Sequence, residues 1–125
     1  MEKINIENVD NIYALSVVRK EFQKAASEEW QSEPPWKRYQ KKLIQDLAVL
    51  NQYMENAIKF VQYEKLNTKG DFYCIRHPES RKNIRIIYVI RENAVILLIA
   101  FLEKNEGDYK KAIRLARKRL KEIES

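Results

Sequence analysis

Five cations crowd one stretch of this sequence: Arg76, Arg81, Lys82, Arg85 and Arg91. A guanidinium stays charged at every cellular pH and can meet two phosphate oxygens at once. Arg85 and Arg91 alternate with apolar residues, so they share a strand face with Ile87 and Val89. An arginine among branched apolar neighbours needs an anion. That anion is either a ligand phosphate or a carboxylate of the chain, with Glu79, Glu92 and Glu103 as candidates. A second group, Lys104, Asn105, Asp108 and Tyr109, stands where an apolar run passes into a helix. Strand ends often carry function on a rigid support. The structural alternative is a helix cap plus a packed tyrosine. Cations and a tyrosine beside a rigid sheet are suited to holding a nucleic-acid phosphate without a metal.

Other chemistry finds little support. His77 is the one histidine, and beside Pro78 it reads as a turn residue before a general base. Cys74 sits mid-strand among apolar neighbours and reads as a small core residue. A single cysteine excludes an intrachain disulfide and a cysteine metal cluster. No glycine-rich phosphate loop or nucleophile elbow occurs. No metal and no cofactor are expected.

These residues need elements to position them. The alternation and branched composition of 12–18 predict a first strand. A short helix follows over 19–30, broken by Pro34 and Pro35. Apolar spacings of three and four through Trp36, Tyr39, Leu43, Leu47, Leu50 and Met54 predict a long helix over 35–59. Residues 60–66 read as an extended approach and 67–71 as a turn. Strands are predicted at 72–76, 84–90 and 94–102, the last apolar throughout and so central. Glu92-Asn93 is a tight turn between the latter two. The final helix starts at Gly107-Asp108 with Asp108 as N-cap. Its apolar stripe is Tyr109, Ala112, Ile113, Ala116, Leu120 and Ile123, and basic residues cover the rest. The order favours an α+β fold: a small, mainly antiparallel sheet of about four strands, two N-terminal helices and a basic C-terminal helix.

A chain of 125 residues fits one domain with one core, and 45% hydrophobic content is ordinary for a folded protein. The net charge of +6 is unevenly placed. Residues 1–36 carry 7 acids and 4 bases, whereas residues 37–125 carry 20 bases and 11 acids. The basic excess thus lies with the strands and last helix. It points to a polyanionic partner, with solubility as the alternative. The first residues lack the apolar core of a signal peptide, and the apolar run 94–102 is too short to span a bilayer as a helix. A cytoplasmic protein is expected.

Residues 63–123 resemble the RelE/ParE superfamily of bacterial toxins from toxin–antitoxin pairs, nearest in style to its HigB-like branch and phage relatives. Three pieces carry the resemblance. They are the Lys65-Leu66 turn leading to a strand with Ile75-Arg76, the strand Ile84-Arg85-Ile86-Ile87-Tyr88, and 101–109 followed by the basic helix 112–119. The resemblance implies a small curved sheet with two helices packed on one face. It implies a metal-independent endoribonuclease that cuts ribosome-bound mRNA, the substrate's own 2′-hydroxyl attacking the adjacent phosphodiester. The partners implied are that mRNA and a cognate antitoxin. By the same resemblance Arg85 contacts phosphate, Lys104 is the basic residue after the last strand, and Tyr109 acts on a base or a proton. Arg76, Arg81, Lys82 and Arg91 supply further nucleic-acid contacts. ParE-like members inhibit DNA gyrase instead, and the chain lacks the late histidine of many active nucleases. A gyrase inhibitor and a catalytically inactive member therefore stay open.

Overall fold

The computed structural model describes residues 1–27, 35–76 and 83–125. Its centre is the hairpin of β5 (Ile84–Arg91) and β6 (Ala94–Leu102). Glu92 and Asn93 join them with φ of 50° and 62°. Two left-handed residues in succession give the turn whose twist matches that of paired strands, so the expected tight turn forms without glycine. The register slips between Ile87 and Tyr88: Ile87 faces Ile99, Tyr88 faces Leu97, and Leu98 is left over. A bulge of this kind turns two successive side chains to one face. Leu98 and Ile99 accordingly pack in the same cluster with Ile87 and Val89.

Around this hairpin stand β1 (Glu2–Lys3), β2 (Ile12–Ala14), β3 (Tyr63–Lys65) and β4 (Tyr73–Ile75). The order across the sheet is β1-β2-β6-β5-β4-β3. β2 runs parallel to β6, and the other four pairings are antiparallel. The fold is α+β and its sheet mainly antiparallel, as expected, but the sheet has six strands where about four were expected, and one pairing is parallel. The short strands at 2–3 and 63–65 account for the difference. Residues 12–18 do not form one strand: β2 stops at Ala14 and α1 (Ser16–Ser27) begins two residues later. The long helix is also shorter than its apolar spacing predicts. α2 covers Pro35–Tyr53, and a 3₁₀ stretch continues over Met54–Lys59 from a left-handed Met54 (φ 49°). The last helix, α3, runs Gly107–Glu124.

Helices cover both faces of the sheet. Val18, Phe22, Ala25 and Ala26 of α1 and Tyr39, Leu47 and Leu50 of α2 pack with Ile75, Ile84, Ile86, Tyr88, Val95 and Leu97. On the other face Ala112, Ala116 and Leu120 of α3 pack with Cys74, Ile87, Val89, Ile96, Leu98 and Ile99. The apolar stripe expected for α3 is thus the one that is used. Small residues at 112 and 116 let this helix lie close to the strands.

β2 pairs with β6 only through Leu97, so the next residues of β6 lack a neighbouring strand on that side. Two charged side chains take the strand's place. Ala100 donates its N–H to Glu21 Oε1 at 3.2 Å, and Arg119 Nη1 donates to the Leu98 carbonyl at 2.8 Å. The Arg119 guanidinium also meets both Glu21 oxygens, at 3.0 and 2.9 Å. This pair links α1 to α3 across the sheet edge. Buried backbone groups need partners, and here side chains supply them.

Candidate functional site

Alternation sets which side chains share the face under α3. Cys74 packs there, so its strand neighbour two residues on, Arg76, leaves the same face. Glu64 pairs in register with Cys74, and Arg85 with Phe101. Glu103 follows Phe101 by two. The first turn of α3 adds Tyr109. At this end of the face the apolar packing stops, and Glu64, Arg76, Arg85, Glu103 and Tyr109 form a polar cluster drawn from four strands' ends and one helix.

Arg85 Nη2 lies 3.4 Å from Glu103 Oε1, and the Arg85 side chain is only 12% exposed. Its Nε and Nη1 are buried and have no hydrogen-bond partner among the described residues. Arg76 Nη1 lies 3.5 Å from Glu64 Oε2, and Arg76 Nε is likewise buried and unpaired. A carboxylate on Arg85 was one of the alternatives legible in the sequence, and Glu103 is the one present. Yet neither ion pair satisfies its guanidinium. Buried N–H groups left without acceptors are costly, and an anion that accepted from them would be bound strongly.

Tyr109 donates its hydroxyl to Glu64 Oε1 at 3.3 Å and lies 3.2 Å from Cys74 Sγ. Its ring meets Phe101 edge-on, with centroids 5.4 Å apart. Burial first, then the nearness of Cys74, raises the Tyr109 pKa well above the ordinary value for a phenol. The hydroxyl therefore stays protonated at working pH and keeps a proton to donate. Burial also pushes the Cys74 thiol up to about 12, against the opposing effect of its hydrogen bond with Tyr109. A thiol held protonated is a poor nucleophile, so the reading of Cys74 as a core residue stands.

The sequence reading joined residues that the structure separates. Arg91 shares the face of Arg85 but lies six residues along β5, about 20 Å away at about 3.3 Å per residue. Its Nε donates to Glu124 Oε1 at 3.0 Å, at the far end of α3. Arg91 is therefore no part of the cluster. Asp108 is not the N-cap: α3 starts at Gly107, with Glu106 in the capping position and no side-chain cap bond. Instead Asp108 reaches backward, and its Oδ2 accepts from the N–H of Lys104 at 2.7 Å and of Asn105 at 2.9 Å. Those bonds hold its carboxyl below the usual range. Lys104 is exposed and enters this turn through its backbone. Arg81, Lys82 and His77 lie outside the described residues.

Glu64 was missed in the sequence. Its signal was slight: one acid between Tyr63 and Lys65 in a three-residue strand, with a partner set by pairing rather than spacing. Among the described residues, no group of three or more His, Cys, Asp or Glu is placed to hold a metal ion, and no helix is long and apolar enough to cross a membrane. No family model matches this chain, and no curated protein or solved structure matches it either.

Proposed function

We propose that this protein is a RelE-type toxin: a cytoplasmic, ribosome-dependent mRNA endoribonuclease, held in check by a cognate antitoxin. The observation that carries the reading is the pair of incompletely satisfied guanidinium groups, Arg76 and Arg85, flanked by two carboxylates and a protonated phenol. In this reading the free N–H groups of Arg85 and Arg76 hold the scissile phosphate and stabilise the charge that builds on it. Glu64, about a third exposed, takes the proton from the substrate's 2′-hydroxyl. That oxygen attacks phosphorus, the 5′-oxygen leaves, and a 2′,3′-cyclic phosphate remains. Tyr109 donates toward the leaving oxygen and regains a proton from solvent. Lys104, Arg81 and Lys82 add contacts to the flanking backbone.

One observation favours a second reading, a family member that acts by binding alone. Each arginine already faces a carboxylate, and Arg85 is nearly covered. Arg85→Ala tests the two. Loss of one such transition-state contact lowers cleavage on the order of 100- to 1000-fold. Primer extension on translated mRNA after induction should show cuts for the parent protein and none for the variant. Arg85→Lys should recover little, because the planar two-point contact is lost. Tyr109→Phe should slow cleavage while leaving antitoxin binding unchanged. Growth arrest without mRNA cuts but with trapped DNA would replace this reading with gyrase inhibition. Arrest with neither would leave the binding-only member.

A further inference from the structure

The cations of α3 divide into two sets. Arg117 and Arg119 are engaged within the fold. Arg117 donates to the Lys69 carbonyl and Thr68 Oγ1, and lies 5.0 Å over the Phe72 ring. Arg119 holds Glu21 and the Leu98 carbonyl. The other five, Lys110, Lys111, Arg114, Lys118 and Lys121, are all exposed, and none makes a hydrogen bond or ion pair among the described residues. At about 100° per residue they fall within an arc of about 100°, directly opposite Ala112, Ala116 and Leu120. No acidic residue falls inside that arc. Cations three and four apart repel one another along the row, and acids come only beyond its edge, Asp108 three residues before Lys111 and Glu122 four after Lys118.

We infer that the outward face of α3 is a docking rail for the phosphate backbone of double-helical RNA. Lys110 to Lys121 spans about 16 Å at about 1.5 Å per residue. One strand of a DNA duplex presents one phosphate per about 3.4 Å of helix axis, and on a comparable spacing in RNA five cations meet about five phosphates. The chemistry of the arc argues against a protein partner. It carries no aromatic or large apolar side chain, and four of its five cations are lysines, a residue depleted from protein interfaces. It also lacks asparagine and glutamine, so it positions RNA without reading its sequence. The choice of RNA over DNA rests on the function proposed above; the rail itself does not depend on cleavage, and it stands apart from the polar cluster.

The test replaces all five residues with glutamine: Lys110→Gln, Lys111→Gln, Arg114→Gln, Lys118→Gln and Lys121→Gln in one protein. Glutamine keeps helix propensity and these side chains support no contact, so the variant should melt no lower than the parent. Fluorescence anisotropy with a duplex RNA hairpin across salt concentrations gives the readout. Parent affinity should fall about several hundred-fold between 50 and 200 mM salt, and the variant should flatten the log–log slope by about 4. Hairpins of unrelated sequence should bind alike. Unchanged affinity and slope in the variant would overturn the inference. So would displacement of the RNA by polyglutamate of equal charge at equal concentration, which would mark an acidic protein as the partner. Duplex DNA bound far tighter than RNA would overturn the RNA assignment. Arg85→Ala separates the two proposals. If it keeps the slope within about one unit, or if the parent binds through α3 without cutting, the rail stands whatever becomes of cleavage.

Discussion

The two faces of the sheet are covered in different ways. Under α3 the packing is close: two alanines bring the helix down onto Leu98, Ile99 and Val89. On the other face α1, with Ala25 and Ala26 at its contacts, also lies close on β6, but the packing between α1 and α2 is open. A groove of about 490 Å³ runs between the N-terminal segment, α1 and α2, with Ile86 and Leu97 among its lining residues. Ile44 and Leu43 of α2 border it, and Ile44 stays 38% exposed. The same strands make both faces, so the difference comes from the covering helix. A helix with small residues at its contact positions settles close, and its first turn then sits within reach of whatever polar groups end the face. The candidate site lies where the close layer stops.

This comparison breaks if both faces respond alike to lost volume. Leu98 is fully buried under α3, and Leu98→Ala should cost about 3–5 kcal/mol. Leu43→Ala removes the same atoms beside an existing groove, and should cost about 1 kcal/mol, since much of that surface is already open. Urea titrations of both variants decide the matter, and equal shifts in midpoint would dissolve the distinction.

Two tyrosines sharpen it with a smaller effect. On the α1 and α2 side, Tyr63 donates its hydroxyl to the Asp46 carbonyl at 2.7 Å. The Tyr88 hydroxyl is buried with no hydrogen-bond partner among the described residues, its ring stacked on Tyr73 at 5.3 Å. Tyr63→Phe should destabilise by about 1 kcal/mol, whereas Tyr88→Phe should be neutral or stabilising by a similar amount. A loss at Tyr88 as large as that at Tyr63 would mean that its hydroxyl is satisfied in solution. Burial raises both phenols' pKa values, so neither ionises at ordinary pH.

The smallest effect concerns the start of α3. Because the Asp108 carboxyl is lowered in the folded protein by the Lys104 and Asn105 N–H groups, its contribution to stability is present above the unfolded carboxylate value of about 3.9. It fades as pH falls through the lower folded value. Asp108→Asn should lower the neutral limb of a stability–pH curve slightly and leave its most acid end nearly unmoved, so that the acid limb flattens. An acid limb identical in both proteins would show that the turn holds without it.

Much of this was legible in the sequence, and what was not has a physical reason. Residues 94–102 were readable as an unbroken apolar run of strand length, and the helix from Gly107 because its period repeats several times. β1 and β3 have two and three residues, too few to show any period, and pairing alone makes them strands. In 12–18 the branched residues read as β throughout. Val18, however, is claimed by the α1 core, and tertiary contact overrode local preference. Arg85 and Tyr109 were found because alternation and helix phase place a side chain on a face. Arg91 was wrongly grouped with them because sharing a face fixes direction and says nothing of distance. Glu64 depends on a strand register, which spacing within one segment does not carry.

The Glu21–Arg119 pair has a consequence for behaviour at high concentration. Leu98, Ile99 and Ala100 form an apolar stretch beyond the reach of β2, a template on which another chain's strand would pair. The ion pair acts as a gatekeeper there, occupying the carbonyl and N–H that a foreign strand would use. It joins residues 98 positions apart, so it exists only when both the first and the last helix are docked. Any partial opening of α3 would therefore expose its apolar face and the sticky strand edge together, and self-association would begin from that species well before global unfolding.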